Sequence, residues 1–231
     1  MSQRLIRTLA VLLPALLLSG TAQARPVVLE LFTSQGCSSC PPAEALLGEL
    51  AGNADLLPLG FHVTYWNHLG WKDTASFEGG TERQAAYAER LGEGNFTPQL
   101  VIDGRRSVVG SRRVDVAAAV GQARAEMGSE VATTVSRRNG RISVRVGSGV
   151  GDARVILVGF DRSVRTPIAR GENSGRTIQQ TNVVRSLRTL GTWSGKPLEF
   201  SEAAPAGQDV AVIVQEPGGR IVGAARLTPE G

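Results

Sequence analysis

The chain has 231 residues, 42% of them hydrophobic and 20% charged, with a formal net charge of +4. That length suits one large domain or two small ones, and the apolar content excludes a disordered chain. The charge is mild and no basic run is interleaved with aromatics, which argues against a nucleic-acid partner.

The chain opens with Arg4 and Arg7, an apolar run from Leu9 to Leu18, and Ala22-Gln23-Ala24. This is the pattern of a cleaved signal peptide over residues 1–24. A spanning helix needs about 20 apolar residues, and the run is shorter and holds Pro14. Export therefore places the mature protein in the periplasm or outside the cell, with no membrane span after cleavage. Loss of Arg4 and Arg7 leaves a net charge of +2.

Val27 to Phe32 reads as a buried strand. Cys37 and Cys40, the only two cysteines, follow it and precede Pro41-Pro42. Ala43, Leu46, Leu47 and Leu50 then recur at helical spacing up to Gly52. Leu57 to Trp66 is a second strand, followed by a loop. Thr81 and Gln84 stand at capping-box spacing at the head of a helix that stops at Gly92. Asp103-Gly104 between two apolar runs signals a hairpin, and a helix follows from about Arg113 to Met127. The order β-α-β-α-β-β-α over residues 25–129 implies an α/β domain, a mixed sheet with flanking helices. From residue 130 to 231 the pattern changes to short strands separated by turns, which predicts an all-β, sandwich-like domain. Within it, the polar stretch Gly171 to Trp193 carries helical spacing near Val183 to Leu190.

Cys37 and Cys40 sit between the first strand and the first helix. There a thiol meets the unsatisfied N–H groups and the positive end of a helix dipole, both of which favour the thiolate. A bridge over so short a loop constrains the unfolded chain little, so stapling is a weak use for the pair. A Cys-x-x-Cys near a βαβ pattern in an exported protein points to redox exchange instead. The two prolines belong in the first turn of a helix. They set its start at about Cys40 and leave Cys37 in the loop before it.

With Thr97-Pro98 placed just ahead of a strand, residues 26 to 128 resemble the thioredoxin superfamily. The resemblance implies that Cys37 attacks, Cys40 resolves, and Pro98 is a cis-proline beside them, with Thr97 aligning an extended substrate. It also implies a thiol–disulfide oxidoreductase whose partner is a protein or small-molecule thiol or disulfide, and whose redox centre is the Cys37–Cys40 pair. More closely, the whole chain is similar to a family of secreted bacterial proteins that carries a domain of unknown function. The stretches that carry this likeness are "ELFTSQGCSSCPPAE", "HVTYWNHLGWKD", "FTPQLVIDG" and "GENSGRTIQQTNVVRSL".

Three further candidates remain. Glu30 lies inside an apolar strand, near where thioredoxin keeps a buried acid. It either exchanges a proton with the resolving thiol or pairs with an arginine. Trp66 and Trp71 rim a substrate groove or pack in the core. His62 and His68, with the two cysteines, keep open an alternative: a copper- or zinc-binding, or binding-only, module on a degenerate thioredoxin-like fold.

Overall fold

In the computed structural model, which describes residues 25–227, strand β1 (Val27–Thr33) has all seven residues buried. A strand without an exposed face needs neighbours on both edges and cover on both sides. β1 runs parallel to β2 (Leu56–His62), from Val27 opposite Leu56 to Thr33 opposite His62. On its other edge it pairs antiparallel with β3 (Gln99–Ile102), which pairs with β4 (Arg106–Val109). The hairpin between β3 and β4 turns through residues 103–105, with Asp103 and Gly104 both at positive φ (51° and 70°) and the Arg105 N–H donating to Ile102 O at 3.1 Å.

Helices α1 (Pro41–Leu50) and α3 (Arg113–Ala125) cover one face of this sheet, where Leu29 and Leu31 meet Leu46, Leu47, Val116 and Val120. Helix α2 (Glu78–Leu91) covers the other face, where Val28, Phe32 and Phe61 meet Tyr87. α2 begins three residues before Thr81, because the expected capping pair is engaged elsewhere. The Thr64 backbone N–H donates to Thr81 Oγ1 at 2.9 Å, and the Gln84 amide donates to Phe96 O and Gln99 Oε1.

The second half of the chain shares this sheet. Its strands are β5 (Thr133–Arg138), β6 (Arg141–Val146), β7 (Ala153–Pro167), β8 (Thr177–Trp193), β9 (Leu198–Ala203), β10 (Asp209–Gln215) and β11 (Ile221–Arg226). The large sheet runs β11-β10-β7-β8-β2-β1-β3-β4, while β5, β6 and β9 form a separate sheet of three. The small sheet packs Ile142, Val144 and Val146 against Leu157, Val210 and Val212 of the large one. Four of the strands expected to form a separate sandwich-like domain from residue 130 onward instead extend the first sheet. The expected boundary near residue 130 is thus crossed by hydrogen bonding. The junction is a single parallel pairing, Gly60 with Val183. The Asn182 side chain donates to Pro58 O at 2.8 Å beside it, and a Cβ on Gly60 would stand 3.3 Å from Thr181 O.

The helix expected near Val183 to Leu190 is strand: these residues lie inside β8 and pair with β7. The long β7–β8 hairpin satisfies their backbone groups, and two register breaks disturb its alternation into an apparent helical spacing.

Glu30 points to the α2 face. It forms a bidentate pair with Arg83 and accepts from Tyr87 OH at 2.6 Å, and the Gln215 amide donates to the same phenol at 2.8 Å. This is the arginine pairing weighed from the sequence, and it sits across the sheet from α1. Arg83→Met should leave a buried, unpaired carboxylate and cost about 3–5 kcal/mol of stability, read by urea unfolding. The double variant Glu30→Leu with Arg83→Met should recover most of that loss.

Candidate active site

β1 ends at Thr33, and residues 34–39 turn the chain into α1. Cys40 is the N-cap, and Pro41 and Pro42 fill the first two helical positions. Their fixed φ suits a first turn, and their missing N–H groups would be unbonded there in any case. The helix therefore starts where the double proline places it, and Cys37 lies one turn earlier. The turn is closed by Cys37 N–H donating to Ser34 O and Cys40 N–H donating to Cys37 O. Cys37 and Cys40 are joined as a disulfide, and the Ser39 hydroxyl donates to Cys37 Sγ at 3.3 Å.

Both cysteines are buried, at 0% and 1% exposure, while Ser38 and Ser39 between them are exposed. Cys37 lies in the loop before α1, as expected, yet its side chain is covered. The cover comes from the second half of the chain. The tip of the β7–β8 hairpin, residues 168–176, folds over the turn. Its own closure is Ile168 N–H to Arg176 O and Gly175 N–H to Ile168 O, both 2.8 Å. Asn173, fully buried, donates its amide to Gln35 O at 3.0 Å and to Cys37 O at 2.9 Å. The Ser38 N–H donates to Glu172 Oε2 at 3.1 Å. Arg176 in turn donates to Asn173 Oδ1 and holds the amide in that orientation.

A buried polar layer lies next to the disulfide. The Gln35 N–H donates to Asp73 Oδ2 at 2.7 Å, and His62 Nδ1 stands 2.6 Å from the same oxygen. The Gln35 side chain accepts from Trp71 Nε1 at 3.0 Å and donates to Gln180 Oε1 at 3.1 Å. The indole can only donate, so it fixes the orientation of Gln35 and, through it, that of Gln180. Gln180 Nε2 lies 3.0 Å from His62 Nε2 and 3.4 Å from Nδ1. An in-plane partner of one ring nitrogen would be far from the other, so the amide sits over the imidazole face. The in-plane side of Nε2 then faces Glu44 Oε1 at 3.7 Å.

Burial alone would lower the His62 pKa, but the charge and hydrogen bond of Asp73 outweigh it, with Glu44 adding to the rise. Burial pushes Asp73 up, yet His62 and the N–H groups of Gln35 and Ala75 bring it below the ordinary carboxylate range. Burial raises Glu44, against the pull of His62. The layer is thus an imidazolium–carboxylate pair beside a carboxyl group that holds its proton more tightly than usual.

The other sequence candidates are placed as follows. Thr97-Pro98 is cis, and Gln99 pairs with Phe32, so Pro98 enters beside the end of β1. Trp66 Nε1 donates to Thr97 Oγ1 at 2.9 Å, and a Cβ on Gly36 would meet Trp66 Cβ at 3.7 Å. Trp66 therefore links the cis-proline segment to the cysteine turn. Trp71 is tied to Gln35, as above, rather than standing open on a groove. His62 is buried and His68 is exposed, so the two histidines do not converge. Among the described residues no group of three or more His, Cys, Asp or Glu side chains is placed to hold a metal ion. No helix of the described residues is long and apolar enough to cross a membrane. Glu44, Gln35, Asn173 and Gln180 were not singled out from the sequence. The one signal for Glu44 was its place four residues after Cys40; the stretch "GENSGRTIQQ" gave no sign of which turn it would cover.

Among curated proteins, none matches the chain. The X-ray crystal structure of a structural-genomics target protein from Agrobacterium tumefaciens is similar to it, with 31% sequence identity and a TM-score of 0.80 over 90% of this chain and 97% of that one. The model of the family described as protein of unknown function (DUF1223) matches residues 28–215, and the chain belongs to that family.

Proposed function

We propose that the protein is an exported thiol–disulfide oxidoreductase of thioredoxin-like construction, working through Cys37 and Cys40 on a protein or small-molecule partner. The observation that carries this reading is the Cys37–Cys40 disulfide, which closes the turn immediately before α1. The cis Thr97-Pro98 bond, linked to the turn through Trp66, supports it. Export is read from the pattern of residues 1–24, which lie outside the described structure, and suits a disulfide that persists in an oxidising compartment.

In the reduced protein Cys37 is the attacking thiolate. The Ala43 and Glu44 N–H groups already bond Cys40 O. Stabilisation of the Cys37 thiolate therefore falls to the Ser39 hydroxyl and to the field of the helix end. Its electron pair attacks a partner disulfide, forming a mixed disulfide and releasing one partner thiolate. Cys40 then attacks Cys37 Sγ, restores the intramolecular disulfide and releases the second thiolate. With both sulfurs covered, each encounter requires the 168–176 tip to lift.

Cys40→Ser should trap partners as mixed disulfides through Cys37 in an exporting bacterial cell, visible on non-reducing gels. Recovery of no adduct counts against a protein partner. Asn173→Ala removes two hydrogen bonds worth about 1 kcal/mol each. It should raise the rate of disulfide reduction by dithiothreitol by roughly tenfold or more. An unchanged rate would show that the tip does not control access.

A further inference from the structure

The 168–176 tip places a carboxylate beside the cysteine turn. Glu172 is exposed, and its Oε2 accepts from the Ser38 N–H at 3.1 Å. Ser38 directly follows Cys37, so covalent geometry holds its nitrogen within about 5 Å of Cys37 Sγ. The Glu172 oxygen, 3.1 Å from that nitrogen, therefore lies within about 8 Å of the sulfur. Hydrogen bonds from the Ser38 hydroxyl and N–H hold the Glu172 carboxyl below the usual carboxylate range, and it is ionised at neutral pH.

The other charged groups around the turn are engaged or solvated. Asp73, on the Gln35 N–H, is paired with His62, and Glu44 faces the same ring. Arg176 donates to Asn173 Oδ1. Lys72 and Arg170, on the flanking segments, are exposed to solvent. The rest of the grip on the turn is neutral: the Asn173 amide on Gln35 O and Cys37 O.

We propose that Glu172 makes docking of the tip depend on the oxidation state of the cysteine pair, so that the tip closes over the disulfide and is released by reduction. The proposal rests on the thiol–disulfide reading above. A disulfide carries no charge, and Glu172 holds the Ser38 N–H unopposed. A dithiol reductant gives the pair two electrons, the Cys37–Cys40 bond breaks, and the reductant closes to its own disulfide. Of its two protons, one stays on Cys40 and one goes to solvent, leaving Cys37 as a thiolate. Under the closed tip that sulfur is 0% exposed and shares the turn with the Glu172 carboxylate. Like charges at this separation, one of them solvated, disfavour the closed reduced state by about fivefold. Lifting the tip separates them and gives both to water. By linkage the factor acts both ways: reduction weakens docking, and docking disfavours the reduced pair. The exchange gains an order from this. The turn is uncovered while Cys37 has to attack a partner disulfide. Once Cys40 has restored the internal disulfide, the charge is gone and the tip closes over the sulfurs.

The test compares the full chain with Glu172→Gln, which keeps an acceptor for the Ser38 N–H and removes the charge. At fixed pH and low ionic strength, hydrogen exchange of a peptide covering residues 168–176 should be about fivefold faster in the reduced wild type than in the oxidised one. In Glu172→Gln that gap should narrow, and the equilibrium with dithiothreitol should move about fivefold toward the reduced pair. Added salt should shrink the difference between the two proteins. Equal exchange in both states of the wild type overturns the proposal and leaves thiol–disulfide exchange standing. So does a variant with the wild-type redox equilibrium, or a difference that salt leaves unchanged. A disulfide inert to dithiothreitol overturns both readings. Should Glu172→Gln fail to fold, the comparison of oxidised and reduced wild type at low and high salt decides.

Discussion

The amide of Gln35 joins three distant parts of the chain at one point. Its carbonyl oxygen accepts from Trp71 and Thr74, and its NH₂ group reaches Thr166 and Gln180 on the two strands of the long hairpin. Its backbone N–H holds Asp73 and its backbone C=O receives Asn173. Apart from Thr74, which is exposed, these residues are buried or half-buried, and a buried polar group without a partner costs about 1–3 kcal/mol. The loop after β2, the β7–β8 hairpin and the cysteine turn are therefore held in a single arrangement. A network of this kind specifies its geometry because partial satisfaction is worse than none.

That constraint explains why the cysteine pair is embedded. The cysteine turn itself is built locally, from a strand end and two prolines, and would stand open on an isolated α/β domain. The hairpin closes it. The hairpin reaches the turn because β8 joins the large sheet at Gly60 and then continues beyond β2 alongside α1. Strands from both halves of the sequence thus build one sheet whose end carries the site.

Local features were legible in the sequence. The helix start at Cys40 follows from proline geometry, and the β3–β4 turn follows from Asp103-Gly104. β1 was readable because a strand buried on both faces leaves an unbroken apolar run. What was not legible depends on partners far away in the chain. The Gly60–Val183 pairing spans more than half of the described residues and has no local signature. β8 looked helical because Val183, Leu187 and Leu190 fall on one helical face, while the register breaks that produce this spacing depend on β7. The role of Glu30 turned on which sheet face its side chain takes. Periodicity showed that Glu30 is buried but not that Arg83 waits there.

The cover over the disulfide comes from residues more than 130 positions later than the cysteines it protects. Sulfur exposure and the docking of the hairpin tip are consequently one equilibrium rather than two. A ligand that binds the lifted tip better than the closed one releases the disulfide by its difference in affinity and by nothing else. Linkage makes the relation reciprocal: whatever the oxidation state of the pair does to the fit of the tip, it does equally to the affinity of anything that grips the lifted form. A single hairpin tip therefore ties the exposure of the two sulfurs to the closure of the second half of the chain over the first.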